Sequence, residues 1–198
     1  MIRKLINPFR YIAGGYALAI GVVLIVLTSL IGFFSHTHFP DVISVKLGTD
    51  YTVGYYIIQS LLNWIVVSVL LFLVSIIFSK SKVRVIDVFG TQALARSPYL
   101  LAALVGFSDA MTRFGDYILY HLMNQGEPIQ LSDGAIIIAI CLIIFVVLMT
   151  IWLITLMYNA FKVSANLKEP ISIFLFIGSL IAAIIISAFL NLHLIKFM

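Results

Sequence analysis

Apolar residues in this chain come in runs far longer than one face of a buried helix or one strand requires. Four stretches, 13–34, 55–78, 135–158 and 173–195, contain no Asp, Glu, Lys or Arg at all. None alternates apolar with polar positions in the manner of a barrel strand. A helix crosses the hydrocarbon layer of a bilayer with about 20 predominantly apolar residues. In lipid, each backbone N–H and C=O must also be satisfied within its own segment. The pattern therefore predicts four membrane-spanning helices.

Residues 79–134 are harder to divide. Their strongly apolar part, 99–107, is too short to cross alone. Pro98 suits the first turn of a helix, where its missing N–H would have no partner anyway. A helix over 98–120 would be long enough, and it would carry Asp109, Arg113 and Asp116 at spacings that put them on one face. Positive charge decides in favour of this span. Gaps with many basic residues (Arg3, Lys4 and Arg10; Lys80, Lys82, Arg84 and Arg96; Lys162 and Lys168) alternate with gaps holding Lys46, Arg113 and Lys196 singly. Acids favour the poor gaps: Asp41, Asp50, Asp109, Asp116, Glu127 and Asp133, against Asp87 and Glu169. Basic residues accumulate in cytoplasmic loops, so an odd number of crossings follows. The expectation is an all-α bundle of five transmembrane helices, with the N-terminus cytoplasmic and the C-terminus outside. The spans fall at about 13–34, 55–78, 98–120, 135–158 and 173–195. Asp109, Arg113 and Asp116 then lie near the outer end or point into the bundle, because such residues rarely face lipid.

Composition agrees. The chain is 63% hydrophobic and only 10% charged, where a soluble domain has roughly 25% charged residues. Its basic surplus sits beside spans, so anionic headgroups of the cytoplasmic leaflet, and not nucleic acid, are the expected partner. The first run is too long for a signal-peptide core and lacks an Ala-x-Ala site, so it reads as an uncleaved span. The connections are an outer loop at 35–54, a basic inner segment at 79–97 able to lie along the membrane as a helix, an outer loop at 123–134 and an inner turn at 159–172. The whole of 1–198 reads as one membrane domain.

Small residues recur every four positions in three places: Ala13, Ala17 and Gly21; Ala102, Gly106 and Ala110; Ser179, Ala183 and Ser187, followed by Asn191. Such stripes let helix backbones approach closely in lipid. Packing within the bundle is the expectation, and a homodimer face the alternative. Asn63, beside Trp64, is placed to hydrogen-bond a neighbouring helix. Enzyme signatures are missing: no His-Glu-x-x-His, no Gly-x-Ser-x-Gly, no phosphate loop and no dinucleotide fingerprint. Gly106-Phe107-Ser108-Asp109 lacks the final glycine of a serine-nucleophile motif. The one metal-like cluster is His36, His38 and Asp41, whose imidazoles and carboxylate are zinc or copper ligand types. An unligated pair in an exposed outer loop is expected there, and no cofactor. Asp109, Arg113 and Asp116 would be the relay of a small transporter or lipid-moving protein, the alternative function.

The order of residues resembles a family. "ALARSPYLLAALVG" (93–106) is similar to the start of the third span in Yip-domain proteins, relatives of the Ypt/Rab-GTPase-interacting membrane proteins. "WLITLMYNAFKVSANLKEPISIFLFIGSL" (152–180) resembles their fourth span, polar turn and fifth span, and "NPFRYIAGG" resembles the opening of bacterial members. The Asp-Leu-Tyr-Gly-Pro-like motif of eukaryotic members is absent before the first span. The resemblance implies a non-enzymatic bacterial membrane protein that binds or organises membrane or protein partners.

Overall fold

The computed structural model describes residues 5–48, 50–123 and 130–194. Arg3, Lys4, Glu127, Ile195 and Lys196 lie outside the described residues. The chain runs α1 (Gly14–Phe34), β1 (Thr37–His38), β2 (Lys46–Leu47), α2 (Val53–Phe78), α3 (Val85–Ala95), α4 (Pro98–Ala102), a 3-10 segment (Ala103–Phe107), α5 (Asp109–Met123), α6 (Asp133–Ala165) and α7 (Ile171–Leu194). Four of these helices, α1, α2, α6 and α7, are long and apolar enough to cross a membrane, as the four uncharged runs predict.

Local chemistry explains their ends. Thr52 and Ser132 cap α2 and α6, each hydroxyl accepting the backbone N–H three residues on, a bond that satisfies one of the donors a helix start leaves free. Asn166 stops α6 in the left-handed conformation (φ 50°), which asparagine tolerates better than most residues. In the turn that follows, Lys162 and Tyr158 hydrogen-bond Glu169, and the lysine above all holds that carboxyl below its usual range.

The helix expected over 98–120 is not one helix. It breaks at Ser108, whose backbone is extended (φ −88°, ψ 115°), and α5 beyond the break is amphipathic, with an apolar face on α6. Upstream, by contrast, helical backbone continues almost without interruption from Val85. At Arg96 and Ser97 it only tightens, with Ser97 N–H bonding Leu94 C=O and Tyr99 N–H bonding Arg96 C=O. Pro98 is the cause: it supplies no N–H, and its ring would clash with the carbonyl four residues back. Pro98 does open a helix, α4, as expected, but only Arg96 and Ser97 separate it from α3, so that 85–107 form one nearly continuous helical rod. The segment 79–97, expected as a basic inner stretch able to lie along the membrane as a helix, is helical over Val85–Ala95 but does not lie on the surface: Lys80, Lys82 and Arg84 are exposed, whereas 90–96 is buried throughout.

The rod lies along α1 and points the same way. A Cβ on Gly90 would sit 2.6 Å from Gly14 O, and one on Gly21 would sit 2.5 Å from Ala93. At the far end, Ser35 Oγ donates to Ala103 O (2.7 Å), and Gly106 abuts Ser35 O and Thr37 Oγ1. Helices α2 and α6 run against the rod. Trp64 Nε1 donates to Phe89 O (3.0 Å), Gln92 Nε2 donates to Met157 O (3.0 Å), and Thr91 meets Ser164 (3.0 Å). The N-terminal segment is tied to α6 by Trp152 Nε1 donating to Leu5 O and Asn159 Nδ2 donating to Ile6 O. These contacts gather Arg10, Lys80, Lys82, Arg84, Lys162 and Lys168 at one end of the bundle. Lys46, Arg113 and most of the acids lie at the other.

Candidate functional site

The segment 35–48 does not lie exposed over the bundle. It folds down into it, burying Ser35, Thr37, His38, Phe39, Asp41 and Val42. Two amides on α2 hold it there, one helical turn apart. Gln59 Oε1 accepts the Phe39 N–H (3.1 Å), and Asn63 Nδ2 donates to both Phe39 O (2.7 Å) and Asp41 O (2.9 Å). Asn191 at the end of α7 donates to Pro40 O (2.9 Å) and to Asn63 Oδ1 (2.8 Å). A buried backbone carbonyl left without a donor is costly, and these side chains provide the donors that secondary structure would otherwise supply. Asn63 is thus the interhelical hydrogen-bonder its sequence position predicts, and it also anchors the loop.

The expected exposed histidine pair is divided. His36, in the left-handed region (φ 52°), turns outward to Asp50 (2.8 Å). His38 turns inward and is 4% exposed. Gln59 has committed its oxygen to Phe39, so its Nε2 faces His38 Nδ1 (3.4 Å) and the Tyr55 hydroxyl (2.7 Å). That geometry leaves the proton on His38 Nε2, an atom with no acceptor among the described residues. Burial lowers the His38 pKa, and Lys46 contributes in the same direction, so the ring is neutral at pH 7. Asp41 Oδ1 accepts the N–H groups of Ile43 and Ser44 (2.8 and 2.9 Å). His36, His38 and Asp41 therefore do not converge, and no metal-ligand cluster occurs among the described residues.

Phe39, at the tip of the loop, stacks flat on Tyr99 (4.5 Å between centroids, 13° between planes). Beneath this pair a small cavity, about large enough for one water molecule, is lined by Ile25, Thr28, Phe39, Ser60, Arg96 and Tyr99. Arg96 is at the midpoint of the rod and 4% exposed. Among the described residues its Nε and Nη2 find no acceptor, and no carboxylate forms an ion pair with it. Asp41 attracts it only through space. On the loop's other side an open crevice runs between His38, Asp41, Lys46, Tyr51 and Tyr55 and the α7 residues Ala188, Asn191 and Leu192.

The remaining sequence candidates lie elsewhere. Asp109, Arg113 and Asp116 are exposed on α5 and make no ion pair among the described residues, so they do not point into the bundle. Ala102 is buried, Gly106 and Ala110 half-buried; Ser179, Ala183 and Ser187 are buried along α7. Arg96, Gln59 and Tyr99 escaped sequence reading. Arg96 reads as a loop cation because Pro98 begins a helix, yet a window over 85–107 holds only two charges in 23 residues. Gln59 and Asn63 were legible as a polar i, i+4 pair in an otherwise apolar run.

No family model matches this chain, and neither a curated protein nor a solved structure matches it.

Proposed function

We propose that this chain is a non-enzymatic integral membrane protein of Yip type, held in a bacterial cytoplasmic membrane by five crossings, that works by binding lipid and protein partners. The third crossing in this reading is the rod 85–107. At about 1.5 Å per residue it is roughly 35 Å long, enough for the hydrocarbon layer, and its parallel course beside α1 favours passage in the same direction. The N-terminus is then cytoplasmic and the C-terminus outside, and the basic end of the bundle meets the cytoplasmic leaflet. Asp109, Arg113 and Asp116 belong to an outer interfacial helix.

The observation that carries the binding role is the group Lys80, Lys82 and Arg84. All three are exposed, none has an acidic partner among the described residues, and they stand between the lipid-facing ends of α2 and α3. Juxtamembrane cations of this kind attract anionic headgroups by about 1 kcal/mol each. Replacing the three by glutamine should strip co-purified anionic phospholipid from the detergent-solubilised protein, with no change in its melting temperature. Equal lipid retention by the variant would refute the role.

A second reading, a small transporter or lipid-moving protein, is favoured by the polar seam from the outer crevice through His38 and Asp41 to Arg96. It requires solute or lipid flux in reconstituted vesicles that is lost on changing a seam residue. Absence of such flux supports the binding role.

A further inference from the structure

Arg96 presents a problem that the rest of the bundle does not solve. Its guanidinium carries a positive charge at any physiological pH, it is nine-tenths buried at the middle of a helical rod, and two of its nitrogens find no acceptor among the described residues. An unpaired charge in such a setting is among the costliest features a fold can carry. The usual remedies are a carboxylate in contact or a ring of carbonyls, and neither reaches it. Asp41 is the acid nearby in the loop, but its Oδ1 is occupied by the backbone of Ile43 and Ser44, and it makes no ion pair.

The cavity beside Arg96 is richer in donors than in acceptors. Thr28 gives its proton to Leu24 O (2.8 Å) and offers the cavity only oxygen lone pairs, against the several N–H groups of Arg96. Ser60, on the facing helix, lines the same cavity, and Ile25, Phe39 and Tyr99 border it, largely with apolar surface. A guanidinium with free N–H groups and a serine hydroxyl, bordered by hydrocarbon and aromatic faces, offers hydrogen-bond donors and positive potential. The space holds about one water molecule and is only partly enclosed, so it takes a monatomic anion, fluoride directly and the larger chloride by extending toward its open part, and nothing polyatomic. Phe39 is the part of the wall that belongs to a loop, and Gln59 and Asn63 fix it there.

We propose that Arg96 and Ser60 form a site within the bundle for a small monatomic anion, chloride or fluoride, bordered by Phe39. The anion supplies the countercharge that Arg96 lacks and links the rod, α2 and the loop at one point. Neither lipid binding at the basic end nor the fold class implies such a site. Because ligand that binds only the folded state raises stability with its concentration, the site is read directly from melting curves. The purified protein in neutral detergent is titrated with sodium chloride against sodium gluconate at constant ionic strength, gluconate being too large to enter.

The expected result is a melting temperature that climbs with the logarithm of chloride concentration and does not respond to gluconate. Arg96→Gln should abolish the climb. Ser60→Val, which puts two methyl groups into the cavity in place of the hydroxyl, should do the same without touching the charge. A wild-type melting temperature indifferent to chloride and fluoride overturns the site. So does a chloride response preserved in Ser60→Val, a test that stands even where Arg96→Gln is not recovered folded. Loss of headgroup retention in the Lys80, Lys82 and Arg84 variant leaves this result unaffected, since those residues lie at the bundle's basic end.

Discussion

Gly106 shows how a single side chain, or its absence, sets the geometry of this protein. A Cβ there would collide with Ser35 O and Thr37 Oγ1, both part of the buried turn where α1 passes into the loop. Backbone cannot yield as a flexible side chain would, so Gly106→Ala should already destabilise. Overpacking commonly costs about 1–3 kcal/mol, and Gly106→Leu should reach or exceed that range in thermal melts. Gly178, with open space at its Cβ position, is the control: Gly178→Ala should leave stability unchanged or slightly raised. His38 yields a second prediction at this scale. Burial holds its folded pKa below the ordinary 6.5, so between the two values only the unfolded chain takes up the proton. Stability is then complete above about pH 6.5 and declines as pH falls below it. Melting temperatures should fall across that window in the wild type, and His38→Gln should remove that part of the decline. A wild-type profile flat down to about pH 5.5 would show that the ring is not buried neutral.

At the scale of elements, α5 and the rod exchange the roles that sequence assigned them. A helix over 98–120 must bring Asp109, Arg113 and Asp116 with it, and their burial would demand pairing. The break at Ser108 relieves that demand by giving the apolar half to the rod and the charged half to an amphipathic helix. Exposed side chains without partners contribute little, so Arg113→Ala and Asp116→Ala should each shift stability by no more than about 0.5 kcal/mol. Asp109, in the first turn of α5, favours the helix dipole by about 0.3–1 kcal/mol, and its loss should cost that much. A large loss from Arg113→Ala, recovered by also removing both acids, would contradict the exposed placement. The break was not legible because residues 98–107 read equally well as the start of one helix or the end of another. Their apolar neighbours at 85–95 were hidden behind Arg96 and Pro98, which mark loop boundaries in most contexts.

For the whole molecule, the proposed topology separates two sites that a four-crossing chain would leave on one face. Ser81, before the rod, and Asp109, after it, stand on opposite sides of the membrane only if 85–107 crosses. With Cys141 replaced by serine, an impermeant thiol reagent added to intact cells should label Asp109→Cys, and should label Ser81→Cys only after permeabilisation. Equal labelling of both from outside would remove the third crossing. The same experiment bears on the charge rule, since Arg96, counted among the loop cations in reading the sequence, belongs to the bundle interior. Without it the asymmetry persists, with eight basic residues against three.

Hydrophobic runs determined by themselves that this is a helical protein with four helices long and apolar enough to cross a membrane, and where those helices lie. Twenty uninterrupted apolar residues have one low-energy solution in a bilayer whatever surrounds them. The small-residue stripe of α7 and the bridging role of Asn63 were legible for a related reason: each is a local pattern whose partner need only be another helix. Tertiary structure alone decided the rest. Whether 35–48 floats over the bundle or enters it depends on Gln59, Asn63 and Asn191 arriving together from two helices, and no local pattern records that meeting. The burial of Arg96 likewise required α1, α2 and the loop to close around a position whose own neighbours looked like a surface. A buried charge is unfavourable locally, so only the surrounding packing reveals that it is there.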